Sequence, residues 1–220
     1  RYLPALSIVT ATNNLYGRTG IMEYNPRNTY NHGIAWERPA SAELIRPEDN
    51  GGFHVDCGLR IAGGDYIRGL YNYRSSSVPE NKYSFRLYFR GDYGTGRLHY
   101  GLFPGTSLDS FDQVTLRAGM NDPTNPYIRD ELARRLESDT GQVASHGTFV
   151  NLFLNGVYKG YYNPAEHIEK SFLTDYHGGT EQWDVIAQSS ELHQGDLVAW
   201  NAMRSYINSY NLTNASSYLA

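Results

Sequence analysis

The sequence predicts an α+β domain. Two patterns carry that expectation. In the first half, apolar residues alternate with polar ones between turns rich in Gly, Pro and Asn. Later, apolar residues recur at helical spacing. Strands come first, then a helix, a hairpin and more helices, an order typical of α+β rather than of alternating βαβ units. At 220 residues the chain has ample material for a core.

The first strand is expected over residues 5–10. A polar, Asn- and Gly-rich stretch over 13–33 reads as a long surface loop. A second strand is expected over 40–45, closed by the turn cluster from Pro47 to Gly52. Beyond it Val55, Cys57, Leu59 and Ile61 alternate with Asp56, Gly58 and Arg60, which pairs this segment with its predecessor as an antiparallel hairpin. Residues 82–90 alternate as strongly. Tyr83, Phe85, Leu87 and Phe89 are assigned to a core, and Lys82, Ser84, Arg86, Tyr88 and Arg90 to the opposite face. A further strand fits 113–118.

A helix is expected from near Pro126, with Ile128, Leu132 and Leu136 spaced four apart as its apolar line and Gly141 as its stop. Asp130 and Glu131 complement the positive end of its dipole. Strands at 149–154 and 157–162 flank Asn155-Gly156, a strong signal for a two-residue hairpin turn. The last third is expected to hold a short helix at 166–176, a strand at 184–187, and a helix at 196–209 with Leu197, Trp200 and Ile207 on one face. The coarse division is 1–165 and 166–220.

Composition removes several classes of function. The net charge of −4 argues against a nucleic-acid binder acting through broad electrostatics. No run of eighteen apolar residues is present, so no membrane-spanning helix is expected. The single cysteine, Cys57, makes neither an internal disulfide nor a Cys-based zinc cluster, and its neighbours mark it as a buried strand thiol. The chain has only three lysines, Lys82, Lys159 and Lys170, so any lysine chemistry has few candidates.

Five features bear on chemistry. Lys82, Ser84, Arg86 and Arg90 on one strand face form either a solvated, salt-bridged surface or an anion site, a polyphosphate in particular. Gly63-Gly64 is either a plain turn or a place where backbone N–H groups approach a phosphate. Asp130 or Glu131 can aim Lys82, and dipole complementarity accounts for them equally well. Glu166, after the aromatic run Tyr158, Tyr161 and Tyr162, begins either a hinge between two lobes or a helix. His146, among small residues, reads as a hydrogen-bonding residue at a strand entry rather than as a base. Nucleophile-elbow, Walker-A and His-Glu-x-x-His motifs are all absent.

Taken together, seven segments resemble the CotH kinase-like family, named for a bacterial spore-coat protein kinase. They are residues 3–8; Trp36-Glu37-Arg38-Pro39-Ala40 through Ile61; Lys82-Tyr83-Ser84-Phe85-Arg86; Leu116-Arg117-Ala118-Gly119; Ile128-Arg129-Asp130; Ala144-Ser145-His146; and Asn155 to Tyr162 with Glu166. The resemblance implies an atypical protein-kinase-like fold: an antiparallel N-lobe sheet with a helix, then the start of a helical C-lobe. It implies transfer of the γ-phosphoryl group of ATP, with Mg²⁺ or Mn²⁺, to Ser/Thr-type hydroxyls of a Ser/Thr-rich protein substrate. By motif position Lys82 is the nucleotide-phosphate lysine, with Arg86 beside it and Gly63 and Gly64 nearby. Asp130 is the helix carboxylate, with Glu131 as its rival, and Glu166 is the link near adenine.

The stretch between Gly64 and Lys82 is longer than in many relatives. The family's catalytic and metal-binding aspartates belong to an Asn-rich, Trp-Asp region with no match before Ala220, Trp183-Asp184 falling too early. The expectation is therefore that catalytic residues follow Ala220 and that this piece alone is inactive. The resemblance also implies a secreted, surface or coat-associated bacterial protein. A non-catalytic surface binding module and a pseudokinase are the competing readings.

Overall fold

The computed structural model describes residues 2–23, 26–64, 82–119, 128–179, 182–187 and 190–219. The chain forms two compact units, Arg1–His167 and Ile168–Ala220. The first is built on a closed barrel of seven strands. These are β1 (Ala5–Val9), β2 (Arg38–Ile45), β3 (Gly52–Ile61), β4 (Phe85–Tyr88), β7 (Gln113–Arg117), β8 (Val150–Leu154) and β9 (Val157–Ala165). A small ribbon of β5 (Leu98–His99) and β6 (Ser110–Phe111) lies between β4 and β7 in sequence. Around the barrel the order is β1-β2-β3-β4-β7-β9-β8.

The barrel corrects the expected fold class. The expected protein-kinase-like arrangement, an antiparallel N-lobe sheet with a helix followed by the start of a helical C-lobe, is not what forms. β1 pairs with β8 in parallel, Leu6 opposite Leu152 and Ile8 opposite Leu154, and that pairing closes the sheet. The remaining barrel pairs are antiparallel, as alternation and short turns predict. Parallel closure joins strands from opposite ends of the unit, and no local periodicity reports so distant a partner. It is fastened by backbone: Asn151 N–H donates to Pro4 C=O at 2.8 Å and Asn155 N–H to Ile8 C=O at 2.8 Å. The Asn155 side chain also accepts from Thr10 N–H at 2.9 Å.

The alternating residues fill the barrel as expected. Ile8, Cys57, Leu59, Phe85, Leu87, Leu116 and Leu152 are all buried. Burial pushes the Cys57 thiol up to about 12, so it stays protonated as an apolar packing group. The Asn155-Gly156 turn forms with φ of 49° and 78°, both left-handed, the geometry that favours Asn-Gly in hairpins.

The stretch read as a surface loop is instead packed. It holds most of a short helix, α1 (Thr12–Leu15), and a 3-10 turn at Asn28–Tyr30, and a further 3-10 turn at Ile34–Trp36 follows it. Leu15, Ile21 and Met22 join the main core. Buried Asn28 donates to the carbonyls of Arg18 and Gly20, both at 2.9 Å. Its polarity, read as solvation, is spent on internal hydrogen bonds.

The helix α2 (Arg129–Asp139) forms, but with the reverse of its expected facing. Leu132 and Leu136 are 51% and 57% exposed, whereas Glu131 is 5% exposed. The buried side is the charged one. The beginning of this helix as expected, near Pro126, lies outside the described residues, as does the segment between Asp65 and Asn81.

The second unit contains α3 (Lys170–His177), the ribbon β10 (Val185–Ala187) with β11 (Glu191–Gln194), α4 (Val198–Ser209) and α5 (Ala215–Tyr218). The strand expected at 184–187 forms as β10, and β11, which was not expected, pairs with it. Glu166 is not a helix start, because α3 begins at Lys170. Asp184 accepts from Asp196 N–H at 2.7 Å, and the Asp196 carboxylate in turn accepts from Val198 N–H at 2.8 Å. Tyr206 on α4 stacks on Tyr210, the residue just past its end, and the Tyr206 hydroxyl donates to Ser217 C=O at 2.9 Å. No helix among the described residues is long and apolar enough to cross a membrane.

Candidate phosphate-binding face

Strand pleating turns alternate residues of β3, β4, β7 and β9 away from the barrel core. Register aligns Arg60, Arg86, Thr115 and Ala165 in one row across these four strands. Gly58, Tyr88 and Gln113 form the next row, and Arg117 faces Asn163 on the other side. Two arginines directly opposite one another are unfavourable unless neighbouring groups or a bound anion compensate. Arg86 Nε donates to Thr115 Oγ1 at 3.1 Å. Arg60 lies over the Tyr88 ring at 4.7 Å and donates to its hydroxyl. Among the described residues its buried Nε has no hydrogen-bond partner.

One end of the face is anchored by Glu37, whose side chain is fully buried. Arg90 reaches it as a fork, Nε to Oε2 and Nη2 to Oε1, both at 3.0 Å. The Tyr93 hydroxyl approaches at 3.3 Å and Arg60 at 3.8 Å. Gly58 makes the approach feasible, because a Cβ there would lie 2.5 Å from the Tyr93 ring and 3.1 Å from Glu37 Oε2. Burial, then the Glu37 charge, raises the Tyr93 phenol, so it remains a donor to that carboxylate.

Lys82 lies just before β4, whose regular pairing starts at Phe85 rather than at Lys82. Its Nζ donates to Tyr161 C=O at 2.6 Å and sits 4.9 and 4.7 Å from the rings of Tyr161 and Tyr162. Burial draws the Lys82 ammonium below its ordinary range. Gly63 and Gly64 are exposed and leave β3 beside the same segment, since Ala62 N–H donates to Ser84 C=O at 2.8 Å. Lys82, Arg86 and the glycine pair are thus placed along neighbouring stretches of one side of the barrel.

The carboxylates of α2 form a network of their own. Asp130 bridges Arg117 at 2.5 Å and also contacts Arg134. Glu131 accepts from Arg134 at 2.6 Å, Arg135 at 2.7 Å and Asn163 at 2.9 Å. Burial alone would raise its carboxyl, but hydrogen bonds from Arg135, Asn163 and Arg134 hold it below the usual carboxylate range. Glu166 is buried against His146: Oε2 accepts from His146 N–H at 2.7 Å and lies 2.9 Å from Nδ1. His146 is therefore a hydrogen-bonding residue, as its surroundings suggested, with its ring oriented by a carboxylate.

Reading the sequence alone missed Arg60, Glu37, Asn163 and the tyrosine rings around Lys82. Arg60 stood visibly on the polar side of its strand, but only register puts it opposite Arg86. Glu37 stood in the Trp36-Glu37-Arg38-Pro39-Ala40 segment of the resemblance, but nothing in the sequence marked it as the anchor of this face. Chemically, the face offers several fixed cations and hydroxyls suited to an anion with several oxygens. Among the described residues no group of three or more His, Cys, Asp or Glu is placed to hold a metal ion.

A family model described as CotH kinase protein matches residues 67–218. The chain belongs to the CotH kinase family. The matched span contains Lys82, Arg86, α2, the β8–β9 hairpin and Glu166, the elements that shape one side of this face. No curated protein matches the chain. In this CotH family member the cationic face is carried on a closed barrel.

Proposed function

We propose that this chain supplies the nucleotide-phosphate-binding face of an ATP-dependent protein kinase that transfers the γ-phosphoryl group to Ser/Thr-type hydroxyls. The observation that supports it is the alignment of Arg60 and Arg86 with nearby Lys82 on the outer face of a CotH-family barrel. Phosphoryl transfer is accelerated mainly by positioning and by fixed positive charge around the phosphates. In this reading Lys82 acts as the point charge on the phosphates and Arg86 meets phosphate oxygens through its planar fork, while Arg60, held by Tyr88 and Glu37, adds positive charge beside it. Mg²⁺ or Mn²⁺, when bound with the nucleotide, would neutralise phosphate charge. The described residues supply no cluster for it, so no step is assigned through a metal. A surface or coat location is part of the same proposal and rests on family membership.

The test uses the full-length protein, radiolabelled ATP, divalent metal and a Ser-rich acceptor. Lys82→Ala is expected to abolish labelling. Unchanged labelling would overturn the lysine assignment.

A second reading has one specific observation in its favour. The β8–β9 hairpin carries two aromatic pairs, Phe149 with Tyr161 and Phe153 with Tyr158, and Asn151 accepts from the Tyr158 hydroxyl at 3.1 Å. Such a surface suits a glycan or protein ligand. Saturable glycan binding without stabilisation by ATP would favour the binding module, and stabilisation by nucleotide without turnover would favour a pseudokinase.

A further inference from the structure

We propose that Tyr161 and Tyr162 form a socket that positions Lys82 for the phosphates. This rests on the phosphate-binding reading above. A lysine side chain is flexible, and holding its ammonium at one point costs rotamer entropy unless its surroundings fix it. Here the fixing comes from β9. The β7–β9 ladder ends at Arg117 opposite Asn163, so Tyr161 C=O lies just past the last strand pair, and Lys82 Nζ donates to it at 2.6 Å.

Successive residues of a strand face opposite sides. The rings of Tyr161 and Tyr162 nevertheless both come within 5 Å of Nζ because Lys82 crosses the strand edge between them. Gly160, next to the crossing, has a left-handed φ of 89° that favours glycine, and a Cβ there would lie in ordinary contact with Lys82 Cε at 3.6 Å. Tyr162 acts twice. Its ring faces the ammonium, and its buried hydroxyl donates to Tyr83 C=O at 2.8 Å, fixing the backbone next to Lys82. Stacking of Tyr162 on Phe85 holds the ring itself. The socket thus joins β9 to the entry of β4 and sets where the Lys82 charge sits relative to Arg86.

The small number of lysines makes the socket measurable. With ¹³C-dimethylated lysines, the Lys82 methyl signal in the nucleotide-free protein is expected upfield of Lys159 and Lys170 through the ring currents of both tyrosines. Tyr162→Phe keeps the ring and removes the hydroxyl. It is expected to move that signal toward the other two and to raise KM for ATP by about threefold to tenfold, the order of one lost hydrogen bond, with a smaller change in kcat. Tyr161→Leu removes the half-buried ring without opening the barrel core and is expected to act in the same direction. A Lys82 signal unmoved in both variants would overturn the socket. So would a moved signal with KM unchanged, since the socket would then not position Lys82 for ATP. The nucleotide-free spectrum does not depend on the kinase reading, which fails separately if Lys82→Ala leaves transfer intact.

Discussion

Replacing Glu131 by Ala is expected to destabilise the barrel unit by about 3 kcal/mol, at the lower end of what breaking a buried ion pair costs. The Glu131 side chain is 6% exposed and that of Arg134 is 13% exposed. Removing the carboxylate leaves Arg134 with Asp130 and Asn163 as partners and strips Asn163 Nδ2 of one of its two acceptors. Arg135, at 58%, is exposed enough for water to replace its share. The sign with pH follows from the depressed carboxyl. Its stabilisation is fully present above the ordinary value of 4.5 and is lost as pH falls through the lower folded value. Urea unfolding at neutral pH and again in acid checks both. The parent should lose stability in acid, and Glu131→Gln, similar in shape but uncharged, should lose less. Gly147 reports on the same cluster, because a Cβ there would stand 2.1 Å from Glu131 Oε2, an atom pinned by its partners rather than free to swing away.

Leu152→Ala is expected to cost about 2 to 5 kcal/mol, the range for truncating a fully buried leucine. Leu152 is 0% exposed on β8 and stands opposite Leu6 in the parallel ladder that closes the barrel. An open sheet would leave β1 and β8 as edges, where the loss of one side chain is cushioned by solvent and relaxation. In the closed barrel the vacated space is surrounded by packed side chains from neighbouring strands. Thermal and urea unfolding measure the loss. Cysteines at Ser7 and Phe153, which face each other in register, give an independent check: a disulfide between them should form readily if β1 and β8 pair as described.

What the sequence made legible was local. Alternation placed Phe85, Leu87, Cys57 and Leu59 inside, and Asn155-Gly156 marked its hairpin turn. Closure was invisible because β1 and β8 carry ordinary strand signatures that name no partner. The helix facing was misread for a related reason. Ile128, Leu132 and Leu136 form a plausible apolar line, yet the hydrogen bonds available to Glu131 from Arg134, Arg135 and Asn163 make the charged side the buried one. Periodicity counts apolar residues and cannot count partners contributed by distant strands. The same limit applied to the candidate site. Lys82 and Arg86 stood out on one strand, while Arg60, Tyr161 and Tyr162 came beside them through register and barrel closure. Asp130 and Glu131, singled out as carboxylates to aim Lys82, have arginines and Asn163 among their partners.

The central functional claim is that the outer face holding Lys82, Arg86 and Arg60 binds nucleotide phosphates. Calorimetric titration of this chain with ATP and Mg²⁺ tests it without requiring turnover. The expected result is saturable one-site binding that weakens by at least about tenfold, or roughly 1.4 kcal/mol, in Lys82→Ala, and measurably in Arg60→Ala, with each free variant still folded and melting cooperatively above the titration temperature. Equal affinity for ATP in the parent and in Lys82→Ala would contradict the account.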